Sequence, residues 1–145
     1  MSYVEKHLMA NENIIYQTKL SWTEYLKHVL TLLVGLILLV ANGPWGIIFI
    51  VFAILSAGMT YLKIKTSEFA VTDKRVLIKV GLLTTKSLET MLNKVEGIHV
   101  TQGIIGKMFN SGSIVVKGTG GTNNPFPNID KPFEFRSAVN EQISK

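Results

Sequence analysis

The chain has 145 residues, a net charge of +5 and no cysteine. The length allows one domain, or one small domain with an appendage, and the missing cysteine excludes disulfides, thiol catalysis and cysteine-ligated metals while fitting a reducing compartment. Charged residues are only 17% of the chain, against about 25% in an ordinary soluble domain. The 34 residues from Val29 to Leu62 hold no Asp, Glu, Lys, Arg or His, which argues against an ordinary soluble enzyme.

In chain order, a short helix is followed by a strand over Asn13–Leu20. Next comes the uncharged stretch. As one helix it would run about 51 Å, well beyond a hydrocarbon core of roughly 30 Å. Asn42-Gly43-Pro44-Trp45 breaks it, because Asn-Gly is a turn signal and Pro44 cannot continue a helix but can open one. Two helices are predicted, over 22–41 and 45–62, spanning roughly 30 and 27 Å, each enough to cross a bilayer once. Trp22, Tyr25, Trp45 and Tyr61 fall near helix ends, as interfacial aromatics do, and Lys27 can snorkel to the surface. Lys63 and Lys65 follow the second helix, and the connecting turn is uncharged. The positive-inside rule then places both termini in the cytoplasm and the turn outside.

Other readings of this segment are weaker. A cleaved signal peptide would not begin so far from Met1 or continue into a second apolar helix. The rest of the chain is too short to cover two helices that are apolar on every face. A re-entrant hairpin stays open beside full crossing, with Trp45 favouring crossing. Ala53, Ala57 and Gly58 offer a small surface for close helix packing.

The part after the hairpin reads mostly as β-structure. Strands are predicted over 67–72, 76–80, 82–88, 95–101 and 113–117, with a tight turn at Asp73-Lys74-Arg75. Gly103–Phe109 reads as a short helical turn ended by Asn110-Ser111-Gly112. Gly118–Thr122 is a loop, followed by Asn123-Asn124-Pro125. Pro132 opens a last helix, whose apolar face is Phe133, Phe135, Arg136, Ala138, Val139 and Ile143. The architecture expected is α+β: a helical hairpin, then a small sheet or partly open barrel plugged by one helix. The division is an N-terminal segment 1–21 that contributes a strand, a hairpin 22–62, and a cytoplasmic domain 63–145.

Residues 1–28 hold three acids and three bases, so the whole +5 lies in 63–145. That balance marks the cytoplasmic side, and it also suits anionic lipid. Catalytic and metal motifs are missing. Gly103–Lys107 lacks the first glycine and the Ser/Thr of a phosphate loop. Gly118-Thr-Gly120-Gly121 follows a strand without opening a dinucleotide-binding helix, and it reads as a turn whose N–H groups could meet an anion or a neighbouring subunit. His7, His28 and His99 have no metal-ligand spacing, and Glu89, Glu96 and Asp130 are unpaired. The bases carry no nucleic-acid signature.

The run Phe69-Ala-Val-Thr-Asp-Lys-Arg-Val76, then Gly81-Leu-Leu-Thr-Thr-Lys-Ser-Leu-Glu89, resembles the bacterial pleckstrin-homology-like family, also called the membrane-flanked domain family. Leu92-Asn-Lys-Val-Glu-Gly-Ile98, Ser113-Ile-Val-Val-Lys-Gly-Thr-Gly-Gly121 and Pro132-Phe-Glu-Phe-Arg136 continue the resemblance in order, over roughly residues 10–144. The resemblance implies a seven-stranded pleckstrin-homology (PH) barrel with a C-terminal helix, held to a bacterial inner membrane, with no catalysis and no cofactor. Two functions are expected from it. One is a scaffold that self-assembles or binds other membrane proteins through exposed strand edges. The other is recognition of anionic lipid head groups. Lys63, Lys65, Lys74, Arg75 and Lys79 are the candidate lipid contacts, and Gly118, Gly120 and Gly121 could serve a lipid or a partner.

Overall fold

The computed structural model describes residues 2–145, which form seven strands and five α-helices. Helix α1 (Tyr3–Lys6) is capped from afar. The Glu68 carboxylate accepts the backbone N–H groups of Tyr3 and Val4, each at 3.0 Å, and the Ser2 hydroxyl. This seats Val4, fully buried, on Ala70 and Leu77. The outer face of the sheet is thereby covered at Ala70 and Leu77.

Strand β1 (Ile14–Thr18) pairs antiparallel with β2 (Glu68–Thr72), Thr18 opposite Phe69 and Ile14 opposite Thr72. Everything between them is the connection of two adjacent strands. It begins as a 3-10 turn at Trp22–Tyr25 and continues as α2 (Leu26–Asn42) and α3 (Pro44–Thr66). Gly43 ends α2 at φ +57°, and Pro44 opens α3. The second helix runs four residues beyond the predicted end, because Ile64 packs on the core and the Ser67 hydroxyl caps the Lys63 carbonyl at 2.5 Å. Both helices are long and apolar enough to cross a membrane. Their side chains point outward almost everywhere, with Val40 91% exposed. The close approach is at Gly35, Gly46 and Ala53, all buried. A Cβ on Gly46 would run into the Leu39 backbone, and one on Gly35 would come within 2.9 Å of Ile50. Of the small residues expected to allow close helix packing, within the hairpin or with a neighbouring copy, Ala53 is fully buried between the helices and Gly58 faces open space.

Strand β3 (Arg75–Val80) returns beside β2 and is followed by β4 (Lys86–Met91). The strand expected over 82–88 is therefore displaced. Gly81 takes φ +101° and its Cβ position is filled by the Thr84 carbonyl, so Leu82-Leu83 is the tip of a tight turn. A 3-10 turn at Leu92–Lys94 leads to β5 (Val95–Thr101), then α4 (Ile104–Phe109), β6 (Ser111–Gly118) and β7 (Thr122–Asp130). Asn123-Asn124-Pro125, expected as loop, lies in β7. Because β7 pairs only with β6, Pro125 sits on an edge where its missing N–H costs no ladder bond. Helix α5 (Pro132–Ile143) closes the chain and buries Pro132, Phe135 and Val139, while Phe133 and Ile143 stay exposed.

The strands form two sheets, β1-β2-β3-β4 and β5-β6-β7. They share one core that includes Phe69, Val71, Ile78, Ile98, Ile114, Phe126 and Phe135. The closed barrel expected from the resemblance is not formed. On one side the sheets touch through a single bridge, Leu20 with Ile129, flanked by Ser21 N–H to the Asn128 carbonyl at 2.7 Å and Asp130 N–H to the Lys19 carbonyl at 2.8 Å. On the other side the turn at Leu92–Lys94 separates β4 from β5, and α5 packs against β5 and fills the opening.

Strand direction divides the domain into two ends. β2 leaves the hairpin, so the Asp73–Lys74 turn is at the far end, and β3 brings Leu82-Leu83 back. The same alternation puts Leu92–Lys94 and Gly118–Gly121 at the far end and α4 and Asp130–Lys131 at the near end.

Candidate functional site

The near end is built around Glu24, 5% exposed. Its carboxylate accepts Lys27 Nζ at 3.1 Å, lies 3.7 Å from Lys63 Nζ, and accepts Asn128 Nδ2. One buried acid therefore joins the start of the first apolar helix, the end of the second, and strand β7. Ser21 Oγ caps the turn by accepting Thr23 N–H at 3.3 Å, and Thr23 Oγ1 meets Ser111 Oγ at 3.3 Å. One turn further on, His28 is held by both ring nitrogens, Nε2 to Thr60 Oγ1 at 2.6 Å and Nδ1 to Ser56 Oγ at 3.0 Å. His28 thus packs between the two helices.

Beside this base lies an open cavity of about 710 Å³ between the end of α3, the edge of β1 and the β7–α5 junction. Lys19, Lys65 and Lys131 line it with Glu68, Asp130 and Glu134. Tyr16 and Tyr61 form apolar walls, and Lys65 Nζ sits 5.7 Å from the Tyr61 ring centre. Tyr16 donates to Glu134 at 3.3 Å; burial and then that carboxylate push its hydroxyl up to about 12. Burial would raise Glu68, but the Ser2 hydroxyl and the N–H groups of α1 outweigh it and hold the carboxyl below the ordinary range. The cavity is therefore lined by side chains of both charge types.

The predicted residues separate clearly. Trp22, Tyr25, Lys27, Tyr61, Lys63 and Lys65 all lie at the outer ends of the helical hairpin, and Trp45 is exposed at its tip. Lys79 lies near the hairpin end of β3 with its ammonium 5.3 Å from the Tyr3 ring centre. Lys74 is exposed at the far turn, bonded to the Ala10 carbonyl at 3.1 Å. Gly120 and Gly121 make a left-handed turn at the same far end, and Gly118 is buried, where a Cβ would meet Thr122 at 2.6 Å.

Arg75 is not a surface cation. It is 6% exposed, gives Nε and Nη2 to Glu12 at 3.0 and 3.1 Å and Nη1 to Glu89 at 2.9 Å, and donates Nη2 to the His7 carbonyl. Burial alone would raise the Glu12 carboxyl. Hydrogen bonds from Arg75, from Met9 N–H and from Thr72, with the Arg75 charge, outweigh burial and hold it at about 2. The guanidinium clamps the N-terminal segment onto the sheet and spends four of its five N–H donors inside the fold.

Sequence reasoning missed Lys19, Lys131, Asn128 and the carboxylate of Glu24. Glu24 did carry a signal, an acid standing one turn inside an apolar helix, where a charge needs a partner. Its partner Asn128 is 104 residues away, beyond any local pattern. Among the described residues no three His, Asp or Glu side chains gather as a metal site.

No curated protein and no solved structure matches the chain. Residues 25–143 match the bacterial PH domain family. That span includes both apolar helices, strands β2 to β7 and helix α5. Two antiparallel sheets over a shared core, stoppered by a C-terminal helix, agree with the match, and the chain belongs to the bacterial PH domain family.

Proposed function

We propose that this chain is a membrane-anchored PH-type scaffold without catalysis, which assembles with its own copies or with other membrane proteins at the cytoplasmic face of a bacterial inner membrane. Membership of the family supports a module that binds lipid or protein. The observation that carries the anchoring is the pairing of Thr18 with Phe69. These residues bracket the hairpin and lie side by side in one sheet, so the chain must return to the side it left. Any crossings come in an even number. Two apolar helices of 21 and 23 residues meet that requirement with one passage each. Lys27, Lys63 and Lys65 at the outer ends favour the cytoplasm for the sheet.

Assembly is supported by β4, which is paired on one side only and carries mostly exposed side chains. An unpaired edge is a template for another strand. Purification from membranes in detergent, with the protein mass measured by light scattering, tests this. An oligomer or a stoichiometric co-purifying membrane protein is expected. A monodisperse monomer alone would overturn the scaffold.

A second reading, head-group recognition, is favoured by the cavity at the hairpin base. Lysines beside carboxylates suit a head group that joins a phosphate to an amine. Vesicles rich in phosphatidylethanolamine should then protect the full chain against thermal unfolding more than phosphatidylglycerol vesicles do. Lys131→Ala should remove the difference, and equal protection by both lipids would dismiss the reading.

A further inference from the structure

Helix α4 shows large apolar side chains to solvent: Ile104 is 83% exposed and Met108 72%, with Ile105 and Phe109 also exposed. A second such tip is the β3–β4 turn, where Leu83 is 81% exposed beside Leu82. Neither belongs to the core, and contiguous exposed apolar groups mark an interaction surface. Their placement says which one. The Phe109 ring lies edge-on to Trp22 at 4.7 Å, and Ser111, just past α4, contacts Thr23. Leu82 and Leu83 line a crevice with Met59, Thr60 and Lys63 of α3. So one tip abuts the stem where the chain enters the hairpin, and the other abuts the stem where it leaves. Both continue the apolar surface of the helices. Residues 82–85 and 104–109 contain no acid, and Lys107 stands among the apolar groups of α4.

Resting on the membrane-hairpin reading above, we infer that α4 and the Leu82-Leu83 turn dip into the head-group boundary of the leaflet that the hairpin enters, giving the domain three points of attachment. Apolar side chains with an interleaved lysine are the composition of an interfacial segment. The occupant is lipid because the tips flank both stems at the level of Trp22 and Lys63, where the bilayer surface must lie if the helices cross. Three non-collinear attachments hold the domain at one tilt, with the Asp73–Lys74 and Gly118–Gly121 turns directed away from the membrane.

The natural absence of cysteine permits a direct test. Single changes Ile104→Cys, Met108→Cys and Leu83→Cys carry a fluorophore in the full chain, in phosphatidylcholine–phosphatidylglycerol vesicles. Ile37→Cys marks the apolar body of the hairpin and Ser144→Cys the far end. Lipids bearing a quencher near the head group should quench positions 104, 108 and 83 several-fold more than position 144. A deep-chain quencher should act on position 37. If 104, 108 and 83 behave like 144 while 37 remains quenched, the tips lie in water and the inference is overturned. Tips shielded from both lipid quenchers and aqueous iodide would mean a protein partner, which also overturns it. Loss of quenching at position 37 would instead strike the hairpin reading itself.

Discussion

Replacing Arg75 separates a lipid contact from a structural clamp. Arg75→Ala leaves the Glu12 carboxylate buried, with its Met9 and Thr72 partners but no counter-charge. Breaking a buried ion pair from one side costs about 3–5 kcal/mol. At roughly 4 °C per kcal/mol, the melting temperature of the domain in detergent should fall by roughly 12–20 °C. The pH dependence follows from Glu12. Its carboxyl titrates at about 2 in the fold and at about 4.5 unfolded. Between those values the unfolded chain holds more protons, so acid favours unfolding. The stabilisation, about 3 kcal/mol, is complete above the unfolded value and is lost as pH falls toward 2. Glu12→Gln should therefore lower stability at pH 7 and flatten the acid limb of the stability profile. Replacing both residues by methionine should restore much of the loss, since a buried pair often exchanges for apolar groups at little cost. An Arg75→Ala protein that melts within a few degrees of the wild type, yet loses the lipid-dependent thermal protection, would refute the clamp and return Arg75 to the surface role.

Three further outcomes are expected. Lys74→Ala should leave the extra protection by phosphatidylethanolamine vesicles unchanged, because the five residues of β2 carry that turn roughly 17 Å from the hairpin, about twice the Debye length at physiological salt; a loss of that difference, as expected for Lys131→Ala, would contradict the assignment of near and far ends. Gly46→Leu should destabilise the protein in detergent by more than the overpacking cost of about 1–3 kcal/mol, read as a lowered thermal midpoint, since its side chain meets the Leu39 backbone, whereas Gly58→Leu, facing open space, should be neutral. Glu68→Ala strips the cap from α1, so residues 2–8 should exchange amide hydrogens faster with a stability loss of about 1 kcal/mol, while protection of β5 to β7 stays unchanged.

Local signals in the sequence located the hairpin. Asn42-Gly43-Pro44 acts through its own backbone, and Gly43 does turn at positive φ before Pro44 opens the second helix. The strands from 67 to 80, the helix after Pro132 and the left-handed stop at Asn110 were legible for the same reason. Leu82-Leu83 misled because two adjacent leucines look like a strand, and only the contact of Gly81 with Thr84 shows the turn. β7 was hidden by Asn and Pro, which the edge of a sheet tolerates. The charged residues were least legible. Arg75 looked like a turn cation because its partner Glu12 lies 63 residues earlier, on the other side of the hairpin.

The lysines show why sequence distance from the hairpin is the wrong guide to a place at its base. Lys74 stands eight residues after Thr66 and Lys131 sixty-five, yet Lys131 lines the cavity at the hairpin base and Lys74 sits at the opposite end. In an antiparallel domain what counts is the number of strands traversed. β2, β4 and β6 each lead away from the hairpin, and β3, β5 and β7 each return. Segments that follow β3, β5 and β7 are therefore the ones brought to the hairpin base: the Leu82-Leu83 turn, α4 and Lys131. Two of the three are apolar tips and the third lies at the mouth of the cavity. The segments that follow β2, β4 and β6 are polar turns containing Lys74, Lys94 and the glycines from 118 to 121. An end with two apolar tips and an end of polar turns, sorted by strand parity and held to the hairpin through Glu24 and Asn128, are what a domain needs if one face is to meet lipid and the other is to stay in water.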